Sequence, residues 1–286
     1  MLRLGPRTFS PTEYAVMAIV NRTPDSFFDR GATFAEDAAL RAVEKAVREG
    51  ADIIDIGGVK AGPGAVVEVP EEIRRTVPTI AAVRARFPEV VISIDTWRAE
   101  VAREAVPAGA DLINDTWAGA DPGLAEVAAA TGAGLVCSHA GGLRPRTRPH
   151  RVAFPDVVAD VVATVTGLAE RAVAAGVRRD GILIDPAHDF GKNTRHSLEI
   201  TRRLGELVDT GWPVLVALSN KDFIGETLDL PVDDRAAGTL AATAVSAWLG
   251  ARVFRAHDVA GTRRVLDMVA AIRGDRQPAV SRRALA

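Results

Sequence analysis

The chain has 286 residues, a net charge of −2 at pH 7, 48% hydrophobic and 25% charged residues, enough for one well-buried core or two small ones. The near-neutral charge excludes a general nucleic-acid or membrane-surface binder, because both need a basic face. Its one cysteine, Cys137, excludes an internal disulfide framework and fits a reducing compartment.

Residues 1–14 (MLRLGPRTFSPTEY) lack the apolar core of a signal peptide and form an N-terminal extension. No apolar run reaches the roughly 18–20 residues of a membrane span. A cytoplasmic protein is expected.

Eight short apolar runs follow in chain order: 15–20, 52–57, 90–95, 111–115, 134–139, 181–186, 213–219 and 252–258. Their apolarity is continuous rather than alternating, which marks strands buried on both faces of a parallel sheet. Between them lie amphipathic segments at 35–49, 70–86, 98–107, 122–131, 155–175, 196–209, 232–250 and 259–273. Gly50, Gly109, Gly132, Gly176, Gly211 and Gly250 stand just past six of these, where a helix prefers glycine. Eight βα repeats over 15–274 predict a single-domain (β/α)₈ barrel, with residues 275–286 as a flexible tail. The segment 236–250 (AAGTLAATAVSAWLG) is apolar nearly all round, unlike an outer-ring helix. It is expected to form a homodimer interface containing Trp248 and Leu249.

The chemistry of such a barrel sits at the C-terminal ends of its strands. Every run here ends in polar groups: Asn21, Asp55, Asp95, Asn114 with Asp115, His139, Asp185, Ser219 then Lys221, and Arg255 with His257. Strand-end Asp and Asn often only cap the next helix, and Asp95-Thr96 and Asp115-Thr116 fit that reading. Capping does not account for Lys221, Arg255 and His257. Carboxylates beside an amide suit a flat, nitrogen-rich heterocycle that presents N–H donors. Asn21, Arg255 and His257 lie on the first and last strands, neighbours in a closed barrel, where they suit a phosphate or its metal ion.

In order along the chain stand NRTPDSF (21–27), DIGG (55–58) with PGA (63–65), SIDT (93–96), AGADLIND (108–115), IDP (184–186) with FGK (190–192), SNKDFIG (219–225) and RAHDV (255–259). With these motifs the chain resembles the dihydropteroate synthase family from about Val16 to Val259. The resemblance implies a homodimeric (β/α)₈ barrel that condenses a dihydropterin pyrophosphate with p-aminobenzoate, with Mg²⁺ on the pyrophosphate. It implies pterin contacts from Asp95, Asn114, Asp185, Phe190 and Lys221, and a metal contact from Asn21. It places Arg255 and His257 on the leaving pyrophosphate and Ser219 and Asn220 in the second-substrate region. Lys221, Asp185, Arg255 and His257 would then carry catalysis, by positioning and leaving-group stabilisation.

The departures cluster elsewhere. The family's second loop resembles DIGGESTRPGA, and DIGGVKAGPGA has lost its acid, serine, threonine and arginine together. Asn220 replaces an arginine beside Lys221, and Ala187 and Asp189 replace glycines in IDPAHDFGK. Those two β-carbons cost stability if φ is positive there. Ser138 stands where the family often has methionine, and Arg22 where it has a small apolar residue. Each lost charge-assisted hydrogen bond is worth about 1.5–3 kcal/mol, so losing two arginines and a threonine removes on the order of 10⁴-fold in transition-state binding.

Three readings follow. The first is a synthase homologue whose pterin pocket is retained and whose ordinary activity is weak or absent. The second is an active synthase with a rewired second-substrate site, using Arg144, Arg146, Arg148 and Arg151 as a relocated anion clamp, with Lys60 and Arg22 as lesser candidates. The third is a non-catalytic pterin-binding dimer. A pterin barrel that transfers a methyl group to a corrinoid protein is disfavoured by the Ser219-x-Lys221 and Arg255-x-His257 pairs.

Overall fold

The computed structural model describes residues 1–23, 33, 35–147 and 152–283. Pro24 to Phe27 of the first motif, and Arg148 and Arg151 of the basic loop, lie outside them. An N-terminal hairpin, β1 (Leu2–Leu4) and β2 (Arg7–Phe9), precedes eight parallel strands. These are β3 (Ala15–Asn21), β4 (Ile53–Gly57), β5 (Val91–Asp95), β6 (Leu112–Asp115), β7 (Gly134–Ser138), β8 (Ile182–Asp185), β9 (Leu215–Ala217) and β10 (Val253–Ala256). Their order, β8-β7-β6-β5-β4-β3-β10-β9, closes through an Ile184–Val214 bridge in which Ile184 N donates to Pro213 O at 3.0 Å. The (β/α)₈ barrel expected from the apolar repeats is the observed fold. β9 is short because Pro213 has no N–H to give the ladder.

The helices are α1 (Glu36–Arg48), α2 (Val69–Arg86), α3 (Ala99–Ala105), α4 (Gly123–Thr131), α5 (Val157–Ala174), α6 (Thr194–Arg202), α7 (Leu204–Val208), α8 (Asp222–Leu228), α9 (Ala236–Trp248) and α10 (Val259–Arg273). All six glycines expected past helix ends have positive φ. Two details differ from the sequence pattern. The segment 196–209 breaks at Arg203 into α6 and α7, and α8 begins immediately after Lys221.

Leu2, Leu4 and Phe9 of the hairpin are fully buried against Met17, Ile53, Val91, Leu112, Val136, Leu183, Leu215 and Val253. They plug the N-terminal end of the barrel with an apolar layer. Because a strand alternates with period two, the residues two positions further along the same strands point inward above that layer. These are Ile19 and Ala217, which are apolar, and Asp55, Ser93, Asn114, Ser138, Asp185 and Arg255, which are polar, with Asp95 one step higher. The barrel is apolar below and polar above.

Candidate active site at the barrel mouth

Arg255 is the hub of the upper layer. Its Nε donates to Asp55 Oδ2 at 2.6 Å and an Nη to Asp95 Oδ2 at 2.8 Å. Asn114 Nδ2 donates to the same Asp55 Oδ2 at 3.2 Å, and Asn114 Oδ1 is buried without a protein partner. Burial raises the Asp95 pKa against the pull of Arg255, and the neighbouring Asp55 adds to the rise. Burial also works against the Arg255 charge, but the two carboxylates outweigh it and hold its pKa above the ordinary value. One guanidinium thus faces two carboxylates, so an anion reaching Arg255 meets a cation already partnered.

The second glycine of DIGG follows from crowding against α2. A β-carbon on Gly57 would lie 3.4 Å from Asp95 Cβ, and one on Gly58 would lie 2.8 Å from Thr76 Cγ2. At Gly58 the strand tip passes too close to α2 for a β-carbon, whereas at Gly57 one would make little more than ordinary contact with Asp95.

On the β8–β9 side, Asp185 Oδ1 accepts from Ala187 N at 2.7 Å, and burial raises the Asp185 pKa. Lys221 Nζ lies 4.8 Å from the centroid of the Phe190 ring, and Trp117 meets that ring edge-on at 5.3 Å. Burial lowers the Lys221 pKa, while Asp189 and Asp185 pull it back up. Lys192 is buried with Nζ on the carbonyls of His139, Ala187 and Phe190 at 2.8–3.1 Å, and burial brings its pKa down to about 7. It pins the Phe190 loop to the end of β7.

The strain expected at the substituted glycines is present. Ala187 has φ 48° and Asp189 φ 68°. Asp189 offsets its strain by bonding: its carboxylate accepts from Ser197 Oγ at 3.0 Å and from Phe223 N, in the first turn of α8, at 3.2 Å. Between them His188 is buried, stacked on Phe223 and bonded to Thr201, its pKa pushed by burial to about 3.

The second-substrate side has a different character. Asn220, also at positive φ (54°), turns toward α9, its N donating to Thr239 Oγ1 at 3.1 Å. Ser219 Oγ accepts from His257 N at 3.2 Å. Arg146 reaches across the mouth, donating to Gly62 O at 3.3 Å and Ala65 O at 2.8 Å. Arg22 is buried with bonds to the carbonyls of Arg75 and Thr33. Arg146 and Arg22 therefore tie loops together.

Of the two strand-end acids that could be only turn-formers, Asp115 is one. It accepts from Trp117 N and Gly119 N, and burial raises its pKa to about 6. Asp95 is not, since its carboxylate takes Arg255. The structure brings Asp95, Asn114, Asp185 and Arg255 to one well, with Phe190 and Lys221 on its β8–β9 wall. Sequence reasoning passed over Asp55 as the counter-charge, Trp117 as the support of Phe190, and Lys192 as the loop anchor. Only the polar strand tip and the FGK motif signalled two of them.

A cavity of about 630 Å³ opens at the opposite end of the barrel, beside Tyr14 and Trp212. Its Arg252 and Arg273 donate to the carbonyls of Glu13, Ala247 and Trp248, which explains them as anchors of the N-terminal segment and of the end of α9.

Residues 17–257 match the family described as "Pterin binding enzyme". "Inactive dihydropteroate synthase 2" of Mycobacterium leprae is 62% identical over 275 residues, spanning 95% of this chain and 94% of that protein. "Dihydropteroate synthase" of Haemophilus influenzae is 41% identical over 248 residues, spanning 86% and 90%. The Yersinia pestis dihydropteroate synthase solved as a sulfonamide drug complex superposes with a TM-score of 0.90 at 36% identity, covering 96% of this chain and 99% of that one. With its polar well at the mouth of a closed barrel, this chain belongs to the pterin-binding enzyme family, as a homologue of dihydropteroate synthase.

Proposed function

We propose that this protein binds a pterin in the barrel mouth and turns over the ordinary synthase reaction weakly or not at all. The observation that carries the reading is the contrast within the mouth. Asp95, Asn114 and Asp185 stand on strands around one well, whereas Asn220 turns to Thr239 and Arg146 is engaged by Gly62 and Ala65. The name of the Mycobacterium leprae relative supports the same reading. The bonds of Arg146 disfavour a rewired, active second-substrate site.

Mg²⁺ is compatible with the donors present. Among the described residues no cluster of three His, Cys, Asp or Glu is available to a metal, and Mg²⁺ in phosphate sites needs only one or two protein oxygens beside water and phosphate. Asn21, at the end of β3, would supply one, and the ion would neutralise pyrophosphate charge.

A homodimer through 236–250 is part of the proposal. The buried face of α9 is Thr239, Thr243, Ser246 and Ala247, while Val245 and Trp248 face outward, beside exposed Met268 and Ile272 on α10. Large side chains outside and small polar ones inside suit a covered face. No helix among the described residues is long and apolar enough to cross a membrane, and we place the protein in the cytoplasm.

Titration calorimetry of the purified protein with dihydropterin pyrophosphate and Mg²⁺, followed by product analysis after adding p-aminobenzoate, tests the reading. The expected result is saturable binding, with dihydropteroate formation on the order of 10⁴-fold below an active synthase. Robust product formation, or no binding, would overturn it.

A further inference from the structure

Ser138 ends β7, in register with Asp185 of β8, on the strand between those that carry Asn114 and Asp185. Its alternation with Val136 points it into the well. The side chain is fully buried, and Oγ has no hydrogen-bond partner. Asn114 Oδ1 on the next strand and Ser93 Oγ on the one beyond are likewise buried and unpartnered. Three consecutive strands therefore each carry one buried, unsatisfied polar atom on the inward face of the barrel.

A buried hydroxyl without a partner costs about 1–3 kcal/mol. Alanine would fill the wall at Ser138 without that penalty. The position also lies between Asn114 and Asp185, so a planar ring reaching both passes across the Ser138 hydroxyl. Unlike a carboxylate, a hydroxyl both donates and accepts, so it can serve a ring nitrogen in either protonation state.

We propose that Ser138 is a specificity-determining contact of this site. It selects a bicyclic 2-amino-4-oxo nitrogen heterocycle with a hydrogen-bonding ring atom on the edge facing β7, over one presenting only C–H there. The inference rests on the pterin-binding reading above and goes further by naming the edge of the ligand that is read.

The test is a binding cycle by calorimetry. Dihydropterin pyrophosphate and its analogues with one ring nitrogen replaced by C–H are titrated into wild type, Ser138→Ala and Asp185→Asn. The expected result is about a tenfold loss of affinity for the natural heterocycle on Ser138→Ala, the size of one net hydrogen bond. One analogue should show the same loss on wild type and no further loss on Ser138→Ala. The melting temperature of Ser138→Ala should equal or exceed that of wild type, because Oγ makes no bond within the protein; a merely structural serine would lower it. Equal affinity of wild type and Ser138→Ala, with binding lost on Asp185→Asn, overturns the Ser138 assignment and leaves the pterin site standing. No binding by wild type overturns both.

Discussion

The two halves of the barrel mouth are built from the same fold by different means. On one side the polar groups ride on strands: Asp95, Ser138 and Asp185 end β5, β7 and β8, Asn114 stands one residue before the end of β6, and all four point into one well. On the opposite side they ride on loops, and the loops hold one another, as Arg146 holds Gly62 and Ala65. A strand-end side chain is positioned by the ladder, and losing it leaves a hole in a rigid wall. A loop side chain is positioned by its own contacts, so a loop can exchange ligand contacts for internal ones at little cost to the barrel. The half whose polar groups face one well is the half that the fold itself holds in place.

The strongest way to break that contrast is Arg255→Met. It strips both Asp55, which is fully buried, and Asp95 of their cation, and removing one partner of a buried pair typically costs about 3–5 kcal/mol. Urea denaturation at pH 7.5 should show a loss of that size. The loss should shrink on acidification. The folded pKa of Asp95 is already raised by burial, and Arg255 is the main group lowering it, so the variant raises it further. An acid whose folded pKa exceeds its unfolded value near 3.9 favours folding below that value and loses the advantage as pH rises through the folded pKa. The deficit is therefore smaller at pH 4.5 than at pH 7.5. A pH-independent deficit would mean that Asp95 does not depend on Arg255.

That pair also marks the limit of what the sequence discloses. The eight strands were legible because continuous Val/Ile runs have one cheap location, a sheet buried on both faces. The hairpin was not: three residues on either side of Gly5-Pro6 carry too little period to register. Helix α8 was hidden because it starts directly after Lys221, and seven residues show no full amphipathic repeat. Residue types at the strand tips disclosed the site, but not who pairs with whom. Arg255 and Asp55 are 200 residues apart, and nothing local says that the guanidinium turns toward an acid. Ser138 was legible as a departure, while its missing partner is a fact of three dimensions.

Positions 187 and 189 sharpen the comparison at about 1 kcal/mol. Both have positive φ, where an L-residue costs roughly 1–2 kcal/mol. The Ala187 side chain makes no compensating bond, so Ala187→Gly should stabilise by about 1 kcal/mol, or about 2 °C in Tm for a chain this long. Asp189→Gly relieves the same strain but removes the acceptor for Phe223 N and Ser197 Oγ. Loss of a helix-capping carboxylate typically costs about 1–2 kcal/mol, so this change should be neutral to destabilising. Calorimetric melting of the two variants should give shifts that differ by at least about 2 °C, with Ala187→Gly the higher. Equal upward shifts would show that the Asp189 bonds contribute nothing.

The smallest effect on stability carries the sharpest test of the loop side. Arg146 is partly exposed, and its two bonds go to carbonyls that water can also serve. Arg146→Ala should therefore change stability by less than about 0.5 kcal/mol. What it removes is the tie between the loop after β7 and the loop after β4, so limited proteolysis within residues 59–65 should accelerate. Affinity for dihydropterin pyrophosphate should stay within about twofold, because the guanidinium is engaged by backbone rather than held ready for an anion. A tenfold loss of pyrophosphate-dependent affinity, with proteolysis unchanged, would turn the argument round. Arg146 would then be a relocated anion clamp, and the loop half of the mouth would be a working site in disguise. Backbone carbonyls favour the other outcome, since Nε and one Nη–H are already committed to Gly62 and Ala65, and only the remaining guanidinium N–H groups could meet a phosphate while the loop tie holds.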